Sequence, residues 1–155
     1  MLDEQHTLLA DLAAGPLRDA LVATLCRHLS AEEQYLYPAV RGALPGGDAL
    51  ADRELAADRQ LRVAARSPEL GELIAGHVRR CERELFPRLR RSLDEVALIR
   101  LGNRVEIALE AAPSRPHPGL PDRPPLNKWV DPLVGAVDKA RDALARRVTY
   151  PEDVW

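Results

Sequence analysis

The sequence predicts an all-α protein built as an up-down four-helix bundle, with extra C-terminal helices after it. Ala, Leu and Arg, all strong helix formers, are the most frequent of the 155 residues, and aromatic residues make up only 4%. Apolar residues recur at helical spacing over successive segments, which Gly, Pro, Ser or Asp residues separate. Because short connectors make neighbouring helices antiparallel, this pattern indicates an up-down bundle.

Five helical segments are expected in the first 112 residues. The first is a short amphipathic helix with apolar residues from Leu2 to Leu12, and it closes at Gly15-Pro16. The other four are expected over about 17–44, 48–65, 69–91 and 95–112. The first four segments would form the bundle, and the fifth would be an appendage.

A proline-rich segment follows the predicted bundle. Residues 113–125 read PSRPHPGLPDRPP, and their six prolines exclude a regular helix, so we expect an extended strap. A last amphipathic helix is predicted over about 132–147, and its apolar residues, including Leu133, Val137 and Leu144, need a surface to cover. The expected parts are a bundle (1–112), a strap (113–128) and a C-terminal helix and tail (129–155) packing on the bundle or on a partner subunit.

Charge and hydropathy exclude several classes of partner. The net charge is −2, so the chain lacks the basic surface that nucleic-acid binding requires. No run approaches the ~20 apolar residues of a membrane span. The first residues, MLDEQHTLLADL, are unlike a signal peptide, and the two cysteines, Cys26 and Cys81, lack a CxxC spacing. We expect a cytoplasmic protein without a structural disulfide, and no binding to nucleic acid or membrane.

The most informative feature is an internal repeat at an offset of 49 residues. Residues 28–44 read HLSAEEQYLYPAVRGAL, and residues 77–93 read HVRRCERELFPRLRRSL. The matching pairs are His28 with His77, Glu33 with Glu82, Leu36 with Leu85, Tyr37 with Phe86, Pro38 with Pro87, Arg41 with Arg90 and Leu44 with Leu93. Two helices built to one plan, each with an internal proline, predict a pseudo-symmetric bundle.

Residues able to bind a metal occupy matching positions in the two copies. His28 and Glu32 are four residues apart, so both project from one face of a helix, one turn apart. Together they can bind a divalent metal. His77 and Cys81 have the same spacing in the second copy, and Cys is a metal ligand when deprotonated.

Two further candidates lie on the remaining helices of the bundle. His6 belongs to the first helix and Asp58 to the third, and each has a Leu three residues later. Each half of the bundle would then offer one ligand followed by His-x-x-x-ligand. The candidates are His6, His28 and Glu32 in one half and Asp58, His77 and Cys81 in the other. Tyr35, one turn from Glu32, and Cys81 are candidates for a catalytic role near the metal.

This pattern resembles the haemerythrin-like, or HHE cation-binding, family, whose plan is H…HxxxE…H…HxxxE. The phrase EEQYLYP is similar to the E-E-x-x-[LV]-[YF]-P phrase of that family, and the resemblance covers residues 1 to about 112. It implies a four-helix bundle around a di-iron centre. It also implies functions such as oxygen binding, peroxide handling, nitric-oxide response and iron sensing, with oxidative enzymes of small molecules among the relatives.

Two positions depart from the family plan. Asp58 stands where the family has His, and Cys81 stands where it has the second bridging Glu. Both side chains are shorter than those they replace, and a thiolate does not span two metals as a carboxylate does. A symmetric di-iron site is therefore in question. The half beside Asp58 and Cys81 should be roomier, with space for water, a substrate or a second cofactor.

Three interpretations follow from the sequence. The first is a non-haem iron protein with one or two ions, or with Zn, Mn or Cu instead, that senses or acts on oxygen, nitric oxide or peroxide. In this interpretation the choice between a sensor and an iron-dependent oxidoreductase of a small molecule stays open. The second is a haem or cobalamin in the widened half, with His77 or Cys81 as axial ligand. The third is a metal-free scaffold whose last helix mediates association. All three leave a homo-oligomer open.

Overall fold

The structure, a computed structural model, describes residues 18–151 and contains only helices, turns and extended connections over that range. Its helices are α1 (residues 18–43), α2 (Gly47–Val63), α3 (residues 70–92), α4 (Glu95–Ala111) and α5 (Leu126–Leu144). The connectors lie close to where the sequence predicts, and those after α1, α2 and α4 contain glycine or proline. The predicted first helix, with its His6, lies outside the described residues.

Both copies of the repeat form a helix interrupted by a π-helical turn. The π turns are Glu32–Leu36, between Arg18–Ala31 and Tyr37–Ala43, and Cys81–Leu85, between Leu70–Arg80 and Phe86–Ser92. In each, the N–H of the residue after the turn bonds to the carbonyl five residues back. A proline, which has no N–H, comes next in both helices. The wider turn lets the helix continue through a residue that would otherwise break it.

Two apolar clusters lie along α1, α2 and α3. One joins the first half of α1 to the end of α2 and the start of α3, through residues such as Leu25, Leu61 and Ile74. The other joins the second half of α1 to the start of α2 and the end of α3, with Tyr37 and Leu85 among its members. Between these clusters each of the three helices buries a polar residue: Glu32 on α1, Asp58 on α2 and His77 on α3. Those residues form the candidate site.

The strap and α5 lie against the outside of this core. Helix α4 packs on α1 through Ala31, Val105 and Ala108, and α5 packs on α4 and on the π turn of α1. The last helix begins at Leu126, not at Pro132 as expected. Pro132 is inside the helix but exposed, so water can bond to the carbonyl that its missing N–H leaves.

The apolar side of α5 does not cover the bundle, which was one of the two surfaces expected for it. Its apolar residues Leu133, Val137 and Leu144 are 71%, 56% and 88% exposed, and its polar face is turned to the rest of the molecule. Within the described residues, the helices are too short or too polar to cross a bilayer.

Candidate metal centre

Three buried side chains bring metal-binding atoms together between the apolar clusters. One ligand atom from each of His28, Glu32 and His77 lies within 4.8 Å of the other two, and all three residues are 0% exposed. The Nε2 atom of His28 is 3.3 Å from Oε1 of Glu32, and Nε2 of His77 is 3.3 Å from Oε2 of the same carboxylate. Glu32 therefore faces both imidazoles, one with each oxygen.

Helix geometry explains why these residues meet. His28 and Glu32 are one turn apart on α1, and His77 reaches the same layer from α3. The imidazole rings lie 5.6 Å apart, edge to face at 84°. Glu32 is also the first residue of the π turn, so the backbone widens where the carboxylate points inward. Such turns are common at functional sites.

Asp58 lies behind His77 and outside the group of three. Its Oδ1 is 3.4 Å from Nδ1 of His77, the ring nitrogen on the other side from Glu32. A carboxylate beside Nδ1 favours the tautomer with the proton there, so Nε2 is the ring nitrogen that can bind a metal. The structure thus places Asp58 beside His77, and the ligand role expected for it stays a prediction.

Tyr37 is a site residue that the sequence analysis missed. Its hydroxyl donates to Oδ2 of Asp58 at 2.7 Å and lies 3.1 Å from Oε2 of Glu32. The repeat held the signal, because Tyr37 matches Phe86 and only the first copy has a hydroxyl at this position. This hydroxyl stands beside the shortened Asp58, so part of the space expected there is filled by protein.

Cys81 contacts the site through His77. Its Sγ is 3.8 Å from Nε2 of His77, and the residue is fully buried. Cys81 begins the second π turn, in the position that Glu32 has in the first. Cys81 and Glu32 therefore have equivalent positions in the structure, as the repeat predicts. Cys81 is nevertheless outside the group formed by His28, Glu32 and His77.

Comparison with known proteins agrees with this geometry. The family model described as Hemerythrin HHE cation binding domain matches residues 1–95, more than half of the chain. The chain belongs to the haemerythrin family. Neither the curated proteins nor the solved structures include a match to it. The resemblance inferred from the repeat is thus confirmed, and metal binding is the property that the family carries.

The electrostatics of this haemerythrin-family site favour positive charge. Burial opposes ionisation of Glu32, but His28 and His77 outweigh it and hold the pKa of the carboxyl well below its usual range. Burial likewise acts against the charge of His77, yet Glu32 and Asp58 raise the pKa of this imidazole well above its usual value. A bound cation can take the place of such a proton, because the same carboxylates compensate its charge.

At Cys81 and Tyr37 the effect of burial on the pKa is not outweighed, so both groups stay neutral. It raises the pKa of the Cys81 thiol to about 12, and the nearby Glu32 charge acts in the same direction. Burial, Asp58 and Glu32 together raise the pKa of Tyr37 well above its usual value. Both groups are therefore protonated at neutral pH in the metal-free protein, so Cys81 becomes a thiolate only if a metal displaces its proton.

Tyr35, expected near the metal, is elsewhere. It packs against the cluster that α1 forms with α4, and Nζ of Lys128 lies 4.4 Å from the centre of its ring. The π turn is the physical reason. One turn of a π-helix takes more residues than one turn of an α-helix, so the residue above Glu32 is the fifth one on, Tyr37, and not the third. Glu33, beside Glu32, faces Arg62 and forms a two-oxygen ion pair with it.

The donor set fits a first-row transition metal. Two imidazoles and a carboxylate are ligands that iron, zinc, manganese and copper accept in proteins. Two imidazoles and one carboxylate are also the ligand types of non-haem iron sites that keep open positions for a further ligand. The two described cysteines are both free and buried, so neither is held in a disulfide.

Proposed function

We propose that the chain binds one iron ion at His28, Glu32 and His77 and acts in oxygen, nitric oxide or peroxide chemistry or sensing. The observation that carries the proposal is the group of three donor atoms, fully buried and within 4.8 Å of one another, in a haemerythrin-family chain. His6 is proposed as a further ligand from the first helix, which would complete an up-down four-helix bundle.

One ion is proposed rather than two because of the contacts that Asp58 makes. In a two-metal site this residue would have to offer its oxygens to the second ion. Here Oδ1 faces Nδ1 of His77, and Oδ2 accepts the hydrogen bond of Tyr37. Removing a supporting carboxylate of this kind typically lowers metal affinity by about 10–100-fold. Asp58 would therefore hold His77 in place for the metal.

A bound iron ion would supply open coordination positions for a diatomic ligand, peroxide or a small substrate. The protein would supply the surroundings of those positions. Burial excludes bulk water, and the hydroxyl of Tyr37, 3.1 Å from Oε2 of Glu32, could turn its hydrogen from Asp58 towards an incoming oxygen atom. Cys81, whose sulfur is beside His77, is proposed as a further ligand or as a redox-sensitive neighbour.

Metal analysis of the purified protein, with absorption spectra taken under anaerobic and aerobic conditions, tests the proposal. We expect close to one iron per chain and a spectrum that changes with oxygen. His28→Ala should remove most of the metal, because it deletes one of three buried donors. His117→Ala is the matched control, because His117 is bonded to Asp138 outside the site. An unchanged iron content in His28→Ala would contradict the ligand assignment. The intense absorption bands of haem or cobalamin would contradict the non-haem iron site and favour one of those cofactors instead.

The role of Cys81 has a separate test. Cys81→Ser should shift the spectrum or weaken binding, since a hydroxyl is a poor ligand at neutral pH, and Cys81→Glu should move the protein towards a two-metal site. Cys26→Ser is the control, because Cys26 packs in the apolar cluster away from the site. If Cys81→Ser equals the wild type in metal content and spectrum, Cys81 serves packing alone.

A further inference from the structure

A surface cleft lies between α1, α2 and the strap, beside the candidate metal centre. Its volume is about 360 Å³, and cavities that bind small molecules usually have ~300–1,000 Å³. Its lining includes Glu33, Tyr37 and Arg41 of α1, Leu55 of α2, and Asp122 and Arg123 of the strap, together with two prolines. This α1–α2 cleft is therefore large enough to admit a small molecule from the surface.

Tyr37 belongs both to the α1–α2 cleft and to the candidate metal centre. It lines the cleft, and its hydroxyl is 2.7 Å from Oδ2 of Asp58 and 3.1 Å from Oε2 of Glu32. The residue is only 1% exposed, so its ring fills the space between the cleft and these carboxylates. A molecule in the cleft is thus one side chain away from the proposed ligand Glu32. Displacing that ring breaks the hydrogen bond to Asp58 but requires no change in the backbone of α1.

Leu55 lines the α1–α2 cleft from the side of α2. It is 2% exposed and belongs to the same apolar cluster as Tyr37. It precedes Asp58 by three residues, so both project from one side of α2, one turn apart. The shortest path from the cleft to the centre therefore passes between the ring of Tyr37 and the side chain of Leu55.

The charged residues that line the cleft all have partners of opposite charge. The pairs are Glu33 with Arg62, Asp122 with Arg59, Arg41 with Asp52 and Arg123 with Asp52. An ionic ligand would have to displace one of these partners, whereas an uncharged molecule contacts the leucine, the tyrosine ring and the prolines directly. The chemistry of the lining therefore favours a small uncharged ligand.

We propose that the α1–α2 cleft admits a small uncharged ligand, such as oxygen or nitric oxide, to the metal centre, and that Tyr37 and Leu55 form the gate between them. This inference rests on the proposed iron site. Leu55 has no contact with the proposed ligands, so its size controls how fast a molecule enters and leaves and not how tightly the metal holds it. Gating motions of this kind take place in microseconds to milliseconds.

Nitric oxide binding to the iron-loaded protein, followed by stopped-flow absorption, tests the gate. Leu55→Ala should raise the association and dissociation rate constants together, on the order of 10-fold, because a lower barrier to entry is also a lower barrier to exit. The equilibrium affinity should stay as in the wild type.

Leu61→Ala is the matched control for this substitution. Leu61 is also 2% exposed and follows Asp58 by three residues, as Leu55 precedes it, but it packs in the other apolar cluster. Both variants lose the same atoms from equally buried positions, and the rates should change in Leu55→Ala alone. Rates that change equally in both variants, or in neither, would overturn the proposal.

Nuclear magnetic resonance of the wild-type protein loaded with zinc provides a test without iron chemistry. Dissolved oxygen is paramagnetic, so it speeds the relaxation of the methyl groups that it reaches. The methyl groups of Leu55 should relax faster under oxygen than those of Leu61, although the two side chains are equally buried. Equal relaxation would show that oxygen does not enter through the cleft and would overturn the proposal. Failure of the entry path is thereby separated from failure of the iron site, which metal analysis measures.

Discussion

At the scale of single residues, the candidate centre is held by hydrogen bonds that converge on two carboxylates. Tyr37 links Asp58 to Glu32, and Asp58 in turn faces the ring nitrogen of His77 that points away from Glu32. One hydroxyl therefore touches both the proposed ligand carboxylate and the carboxylate that orients a proposed ligand histidine. Because all of these atoms are buried, losing that hydroxyl leaves polar groups without water to replace it.

Replacing Tyr37 by Phe should lower stability and disturb the metal. The ring would still fill its place in the apolar cluster, as Phe86 does in the second copy of the repeat. Loss of the hydrogen bond to Asp58 should cost about 1–3 kcal/mol, because a buried carboxylate would lose a donor. Metal affinity should fall as well, because Asp58 would no longer be fixed. Chemical denaturation and metal titration measure the two effects.

Tyr35→Phe is the matched control for this substitution. Tyr35 lies in the π turn, two residues before Tyr37, but packs towards α4, so removal of its hydroxyl should leave metal affinity as in the wild type. If Tyr37→Phe behaves like Tyr35→Phe in both measurements, the hydroxyl of Tyr37 has no part in the centre.

At the scale of elements, the helices could be predicted from the residues that end them and separate them. Glycine and proline set the ends of α1 and α2 to within about one or two residues, and the 49-residue offset predicted two helices of one design. Spacing within the helices was harder to interpret. A proline inside a helix does not say how the turn before it adapts, and the π turn moved the residue above Glu32 from Tyr35 to Tyr37.

Helix α5 shows the limit of an amphipathic pattern. The apolar stripe was correctly identified from its spacing, but the pattern does not say which side faces the protein. The usual rule buries the apolar side. Here Ser30 and Gln34 of α1, together with the strap, supply polar partners for the opposite side, and those partners are distant in sequence. The orientation is a tertiary property that one helix cannot encode alone.

At the scale of the whole molecule, two kinds of contact join the helices: apolar packing, and hydrogen bonds to buried carboxylates. The two apolar clusters and the site between them hold α1, α2 and α3 together. Carboxylates and hydrogen bonds attach α5. This difference is a physical reason to expect a boundary after residue 112. Groups on α1 that bond to α5, such as Ser30 and Gln34, can bond to water when α5 is removed.

A chain that ends at residue 112 should therefore still fold and bind metal. It loses polar contacts worth about 1 kcal/mol each, so we expect a lower melting temperature but the same metal content per chain. Circular dichroism, metal analysis and sedimentation measure the outcome, with a chain that ends at residue 151 as the control that keeps α5. Aggregation or loss of the metal in the shorter chain would show instead that residues 113–155 belong to the folding core.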